Sequence, residues 1–362
     1  MNSKIRSVRI AGIASAVPAE VLSPIETAGP AGISPEEAQK IADMTGVHKR
    51  HVASSSCCTS DMACAAAQRL LEDLNWEPES IDALVVVSQT HDYDLPATAC
   101  ILQDRLGLSR ACAAFDMSLG CSGYVYGLWA CSGIVAGGAR RGLLLAGDTM
   151  SRTCSPQDRS TAFLFGDAGT ATALERDANA PDMTFVLGTD GSGKEFLIQP
   201  DSGFRNRATP GSFERRSTAD GSLRGPMDLY MDGAEVFAFT LRQVPPMMAE
   251  MLSASGWTLD EMDAFVPHQA NQFILQHLGK RLRIPAGKMI LSLDEFGNTS
   301  SASIPLALSH RLGGRLRQEQ MKLVLAGFGV GWSWGAATVT CGPMVMPKII
   351  YLHESAARPA AS

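Results

Sequence analysis

The sequence predicts a layered α/β/α/β/α protein built from two related halves. Two observations carry that expectation. Short, continuous apolar runs alternate with longer helical stretches along most of the chain, the pattern of sheets covered on both faces. Segments of the first half also recur in the second, in the same order and about 180 residues further on. LNWEPESIDALVVVSQT (74–90) answers SGWTLDEMDAFVPHQAN (255–271), with Trp76 matching Trp257 and Asp82-Ala83 matching Asp263-Ala264. GLLLAGD (142–148) answers KLVLAGF (322–328), and more weakly the Gly120 turn answers the Gly297 turn. Such a period is far too long for a solenoid repeat. It divides the chain into halves at 1–180 and 181–350.

The elements follow in order. Strands are predicted at VRIAGIASAV (8–17), DALVVVS (82–88), CAAFDM (112–117) and GLLLAG (142–147) in the first half. In the second they are predicted at TFVLGT (184–189), DAFVP (263–267), MILSL (289–293) and KLVLAG (322–327). Helices are predicted over 56–74, 122–138 and 235–256, where apolar residues recur at helical spacing or small residues dominate. The stretch 191–232 breaks the pattern: it is rich in Gly, Ser, Pro and Arg, and reads either as a functional lid or as a loose insertion. Residues 351–362 read as a disordered tail.

Composition narrows the function. Hydrophobic residues make up 45% and charged residues 19% of 362, which excludes a disordered chain. A net charge of −6 argues against a nucleic-acid-binding surface. The 9 cysteines form no CxxC pair and no zinc spacing, so no metal is expected and the thiols read as buried in a reducing compartment. The first residues lack the apolar core of a secretory signal, and no stretch is long and apolar enough to span a membrane. Cytoplasm is the default.

Three turns concentrate chemistry. Residues 114–123 run from an apolar strand through a turn into a small-residue helix, placing Cys121 at or just before its first turn. The macrodipole there favours thiolate, although a buried, inert cysteine fits the position as well. His268, in VPHQAN (266–271), lies where a strand gives way to a helix. Asn298, in GNTSS, lies on the turn that answers the Cys121 turn. Taken singly, a structural histidine and a turn asparagine suffice. A pseudo-twofold relation between the halves would bring all three to one pocket.

Over roughly residues 5–342 the chain resembles the β-ketoacyl-acyl-carrier-protein synthase III family of the thiolase-like superfamily. The resemblance rests on the Cys121 turn, PQDRSTAFLFGDAG (156–169), VPHQAN, GNTSSASIPLAL (297–308) and GFGVGWSWG (327–335). It implies the duplicated five-layer thiolase-like fold with two stacked, five-stranded mixed sheets, a homodimer and a Cys121-His268-Asn298 triad. It implies a decarboxylative condensation, with an acyl thioester acylating Cys121 and a malonyl-acyl-carrier-protein supplying the enolate. The backbone N–H groups of Cys121 and Val330 would form the oxyanion hole, Val330 standing where the family has Gly. His268 and Asn298 would hold the malonyl thioester carbonyl. No cofactor is implied; coenzyme A and carrier-protein thioesters are the substrates.

The resemblance further implies that Leu95, in the loop 91–96, completes the partner's acyl pocket, and that Phe237 lies near the nucleophile. Lys280 and Arg281 would dock the acidic carrier protein. The positions matching the family's coenzyme A contacts are Lys40, Met44, Arg159 and Phe273, of which only Arg159 keeps the family residue. Arginines of the 191–232 stretch, namely Arg205, Arg207, Arg215, Arg216 and Arg224, are candidates to replace them. These departures point to a specialised synthase with a longer or carrier-bound primer rather than a housekeeping initiator. A KAS III-like acyltransferase without condensation and a subunit of a heterodimeric condensing enzyme are the alternatives. A thiolase is disfavoured because the C-terminal Gly-rich loop lacks its second cysteine. That loop also fails the dinucleotide-binding GxGxxG pattern.

Overall fold

The computed structural model describes residues 1–353. Two mixed sheets stack face to face. One runs in the order Ile350–Leu352, Val8–Pro18, Ala168–Arg176, Arg141–Asp148, Ala83–Val87, Ala113–Met117; the other runs Asn2–Ile5, Met183–Thr189, Ser333–Cys341, Met321–Gly329, Ala264–Pro267. The central pairings of the two sheets are alike. Val87 pairs in parallel with Ala146, and in the other sheet Pro267 pairs in parallel with Ala326. Each of these second strands then pairs antiparallel with the strand that follows it in sequence.

Helices fill the three remaining layers. Thr59–Leu74 covers the outer face of the first sheet with Met62, Ala66, Ala67, Leu70 and Leu71, all buried at helical spacing. Its first turn is held by the Asp61 carboxylate, which accepts from Cys58 N at 2.8 Å, and it stops at Asn75 in a left-handed conformation (φ 52°). Gly233–Ser255 and Gln272–Leu282 cover the outer face of the second sheet with Phe239, Val244, Met248, Ile274 and Leu278. Gly123–Ala136 and the helical run from Ser303 lie between the sheets, where Val125, Leu128, Cys131, Ile304 and Leu308 share one core with both. Burial on both sides explains why Gly123–Ala136 has no polar face. Its Gly127 allows the close approach: a Cβ there would lie 2.6 Å from Val87 Cγ2 and 2.7 Å from Leu144 Cδ1.

Several expectations are corrected. The first sheet has six strands rather than five, because Ile350–Leu352 adds to its edge beside Ala16–Pro18. Tyr351 and Leu352, placed in a disordered tail by the sequence, are therefore in a strand; Ile350 and Leu352 pack against the outer core of that sheet. The rest of that tail beyond residue 353 lies outside the described residues. MILSL (289–293) forms no strand. Its pairing with Phe265 lasts for one bridge at Met289, because the Gln269 side chain takes the next backbone groups, donating to Ile290 O (3.1 Å) and accepting from Ser292 N (2.7 Å). Asn2–Ile5 pairs with Met183–Val186, so the chain begins in the sheet of the second half. No helix among the described residues is long and apolar enough to cross a membrane.

Candidate active site

Three turns build the site. Ala113–Met117 ends the first sheet at its edge and leads through Gly120 to Cys121 and Ser122, after which the helix Gly123–Ala136 begins. Ala264–Pro267 ends at His268. Asn298 follows the short helix Leu293–Phe296 and is clamped by the backbone, its N–H donating to Leu164 O (2.9 Å) and its carbonyl accepting from Gly166 N (3.1 Å). Cys121, His268 and Asn298 line one cavity of about 360 Å³, with Phe328, Gly329 and Val330 forming another side.

The sulfur of Cys121 is almost fully enclosed. Burial pushes its thiol up to about 11; hydrogen bonds from the backbone N–H groups of Val330 and of Cys121 itself, and from Ser300, act the other way, while the charge of Asp148 raises it further. Burial thus works against the thiolate that a helix terminus favours. Gly329 is required beside the nucleophile, since a Cβ there would lie 2.6 Å from Cys121 Cβ and 2.8 Å from its Sγ. Val330 keeps its N–H aimed at the sulfur, and its side chain occupies the space over Gly120, with Cγ1 at 3.1 Å from where a Cβ of residue 120 would sit.

His268 is 1% exposed, and burial pushes its imidazole down to about 3, so the ring is neutral at any working pH. Its Nδ1 lies 2.7 Å from Ser303 Oγ, the Ser300 backbone beside the ring works against the lowering, and Phe328 stands edge-to-face with it at 5.9 Å between centroids. The Asn298 carboxamide spans the turn: Oδ1 accepts from Ser300 N (2.9 Å) and Nδ2 donates weakly to Ala270 O (3.4 Å). A neutral imidazole and a carboxamide beside an oxyanion-type pair of backbone donors can stabilise negative charge on two different carbonyl oxygens.

The remaining sequence candidates divide. Phe237 and Phe273 lie just outside the cavity on helices whose Val236, Thr240 and Ile274 line it; with His277 they form a ring cluster at 4.3–5.5 Å, and Phe273 is 46% exposed. Arg159 and Lys40 are exposed, and Met44 is 60% exposed. Leu95 is 83% exposed and lines nothing in this chain. Lys280 and Arg281 are exposed on the last turn of Gln272–Leu282, about 10–12 Å along the helix from Phe273 at 1.5 Å per residue.

The 191–232 insertion is not loose. Leu197, Ile198, Gln199, Ser202, Leu229 and Met231 from it wall the cavity. Of its arginines, Arg224 pairs with buried Asp158, Arg215 with Asp228 and Arg216 with Glu214, which removes three of five candidates for phosphate contacts. Arg205 and Arg207 form no ion pair among the described residues, Arg207 lying over the exposed ring of Phe204. Sequence reasoning missed Asp148, Ser300, Ser303 and Phe328. The repeat held a signal for two of them, since GLLLAGD and KLVLAGF differ at their last position, Asp148 against Phe328.

A two-sheet duplicated core with a buried cysteine at a helix start, opposed by His and Asn turns, defines a thiolase-like condensing enzyme. Residues 115–191 match 3-oxoacyl-[acyl-carrier-protein (ACP)] synthase III, and residues 252–341 match the C-terminal part of that family. A beta-ketoacyl-[acyl-carrier-protein] synthase III of Caldanaerobacter subterraneus subsp. tengcongensis is 36% identical over 301 residues, 83% of this chain and 88% of the relative. The crystal structure of a 3-oxoacyl-(acyl-carrier protein) synthase from Burkholderia xenovorans LB400 superposes with a TM-score of 0.92 at 39% identity, covering 97% of this chain and 99% of that one. The priming beta-ketosynthase of the R1128 polyketide biosynthetic pathway superposes with a TM-score of 0.78 at 29% identity, over 95% and 98%. The chain belongs to the β-ketoacyl-[acyl-carrier-protein] synthase III family, and is an acyltransferase of the condensing type.

Proposed function

We propose that Cys121 takes an acyl group from a thioester and passes it to a malonyl-acyl-carrier-protein. The observation that carries this reading is the common cavity of Cys121, His268 and Asn298 beside the Val330 N–H. In the first half-reaction the Cys121 sulfur bonds to the acyl carbon, the carbonyl oxygen gains charge against the N–H groups of Cys121 and Val330, and the old C–S bond breaks. The departing thiol leaves with the proton that Cys121 loses, which suits a nucleophile held protonated at rest.

In the second half-reaction the malonyl thioester oxygen lies against His268 and Asn298. The bond to the carboxylate breaks, CO₂ departs, and its electron pair becomes an enolate stabilised by two neutral donors. In this reading Ser303 donates to Nδ1, so His268 keeps its proton on Nε2 for the substrate. The enolate carbon then bonds to the acyl carbon and expels the Cys121 thiolate, which takes up one proton from solvent. No electron leaves or enters, so the chemistry needs neither metal nor redox cofactor.

The primer is proposed to be longer than acetyl or carrier-borne. Phe273 and Met44 present apolar surface where phosphate-binding cations would serve coenzyme A, and three insertion arginines are already paired. Incubation with acetyl- to octanoyl-thioesters on coenzyme A and on carrier protein, followed by intact mass, tests both points. Acylation is expected on Cys121, with acetyl-CoA losing the competition; a tenfold preference for acetyl-CoA returns the protein to a housekeeping role.

A homodimer in the cytoplasm, with the loop 91–96 reaching the partner's pocket and Lys280 and Arg281 meeting the acidic carrier, completes the reading. In support, Ala113–Met117 is an edge strand with Phe115 38% exposed, next to the exposed Tyr93 and Leu95. Light scattering at micromolar concentration checks it: a dimer mass is expected, and a monomer overturns it.

A further inference from the structure

Asp148 is completely buried and forms no ion pair among the described residues. Its carboxylate is satisfied by neutral donors alone. Oδ1 accepts from Gln89 N (2.7 Å), Ser88 Oγ (3.2 Å) and Thr90 Oγ1 (3.4 Å), all from the end of the neighbouring strand. Oδ2 accepts from Ser301 Oγ (2.8 Å) and Ser301 N (3.2 Å), on the turn that carries Asn298 and 153 residues away in sequence. A buried carboxylate without a cation is costly, and a network of this kind is retained where it fixes a geometry.

The geometry it fixes is uncommon. Ser300, beside Ser301, has φ 51°, the left-handed region that a residue with a Cβ seldom adopts. Such a residue persists only where its surroundings over-determine it. Here Asn298 Oδ1 holds its N–H from one side and Asp148 holds the next residue from the other. In that conformation Ser300 lies against the His268 ring, the Cys121 thiol and Asp148, close enough to influence the ionisation of each. One turn thereby touches all three candidate groups, and Asp148 ties it to the first half of the protein.

We propose that Asp148 is a positioning residue for condensation: through Ser301 it locks the Ser300 turn that orients His268 and Asn298 over Cys121. This rests on the assignment of those three residues made above. The charge of Asp148 also raises the Cys121 thiol, while burial raises the Asp148 carboxyl itself; His268, the other titratable group lining the cavity, is neutral.

The test compares Asp148→Asn, Ser301→Ala and His268→Ala with the natural protein. Acylation is read by intact mass, condensation by steady-state kinetics, and thiol reactivity by iodoacetamide alkylation against pH. Asp148→Asn is expected to lower kcat of condensation at least tenfold with KM for the malonyl substrate changed less than threefold. It is also expected to move the alkylation profile to lower pH, because removing a negative charge favours thiolate. Ser301→Ala keeps the charge, so it is expected to lower kcat severalfold and leave that profile in place. A purely structural Asp148 would reduce folded protein, leaving kcat per folded active site and the profile unmoved; that result overturns the proposal. So does an Asp148→Asn that fails to fold combined with an unimpaired Ser301→Ala. If His268→Ala condenses normally, the underlying assignment of the site fails instead, whatever Asp148→Asn does.

Discussion

The imidazole of His268 and the hydroxyl of Ser303 meet at 2.7 Å, Nδ1 to Oγ, in a pocket where neither is exposed. Ser303 opens the helical run that lies between the sheets, so the ring is anchored to the core shared by both. Removing the hydroxyl frees the tautomer. Ser303→Ala is expected to lower condensation about tenfold while leaving acyl-Cys121 formation within twofold. His268→Ala and Asn298→Ala should each cost condensation about 10²–10³, the usual effect of losing one such donor. Single-turnover acylation and steady-state condensation, measured on the same preparations, separate the two effects.

Cys121→Ala is expected to abolish both the acyl adduct and turnover. In the natural protein, alkylation of Cys121 should quicken about tenfold per pH unit from pH 7 to 10, because burial holds the thiol pKa near about 11. A plateau below pH 8 would mean that the helix terminus wins after all. Cys57, Cys131, Cys154 and Cys341 are likewise pushed up to about 12 by burial, so mapping the label by peptide mass is part of the measurement.

Gly329→Ala should cripple acylation and also cost stability, since Gly329 has φ 157°, where a residue with a Cβ is strained. The new methyl would start 2.8 Å from the Cys121 sulfur and 2.6 Å from its Cβ, so the nucleophile must turn away from the Val330 N–H. The expected signature is a drop of 10²-fold or more in acylation per folded protein, with a lowered melting temperature.

The layers were legible in the sequence because strands buried on both faces read as continuous apolar runs, and Ala83–Val87 and Arg141–Asp148 are of that kind. The three turn residues were legible through their motifs. What stayed hidden depended on side chains reaching across the fold. MILSL has a strand's composition, yet Gln269, a neighbour only in space, takes its backbone. Asp148 looks like any strand-ending aspartate until Ser301 is brought against it from the other half. The helix terminus beside Cys121 can be seen in sequence, whereas the depth of burial that raises its thiol cannot.

Stability should fall as pH drops below about 6.5. The unfolded chain protonates His268 at its ordinary value, while burial holds the folded ring down to about 3, so between these limits the unfolded state binds more protons. His51 and His310 are also lowered by burial and act in the same direction. Asp167, raised to about 6 by burial, acts oppositely between roughly pH 4 and 6, since there the folded state holds the extra proton. The His268 share is isolated by comparison: urea unfolding of His268→Gln should show a shallower loss between pH 6.5 and 4.5 than the natural protein. Equal slopes would mean that the ring is accessible to protons in the folded state.

Arg224 and Asp158 join the insertion to the turn carrying Arg159, at 2.9 Å, with the Asp158 side chain fully buried and Arg224 14% exposed. Three further bonds follow the same seam: Leu223 N donates to Gln157 O (3.1 Å), Ser155 Oγ to Leu223 O (2.7 Å), and Arg159 N to Ser222 Oγ (3.2 Å). The insertion also supplies Leu229 and Met231 to the cavity wall, so the seam sets where that wall stands. Arg224→Met keeps the bulk but leaves a buried carboxylate unpaired, a change that typically costs about 3–5 kcal/mol. Because the insertion packs outside the two-sheet core, the loss should appear as local opening rather than global unfolding. Hydrogen exchange is expected to rise in residues 197–231 and 155–161 and to stay unchanged in 123–136. KM for acyl primers should rise severalfold, most for the longest chain, with kcat for the acylated enzyme preserved. Cleavage by a protease within 203–221 at an unchanged global melting temperature would give the same answer by a second route; unchanged exchange and KM would show that the seam carries no part of primer recognition.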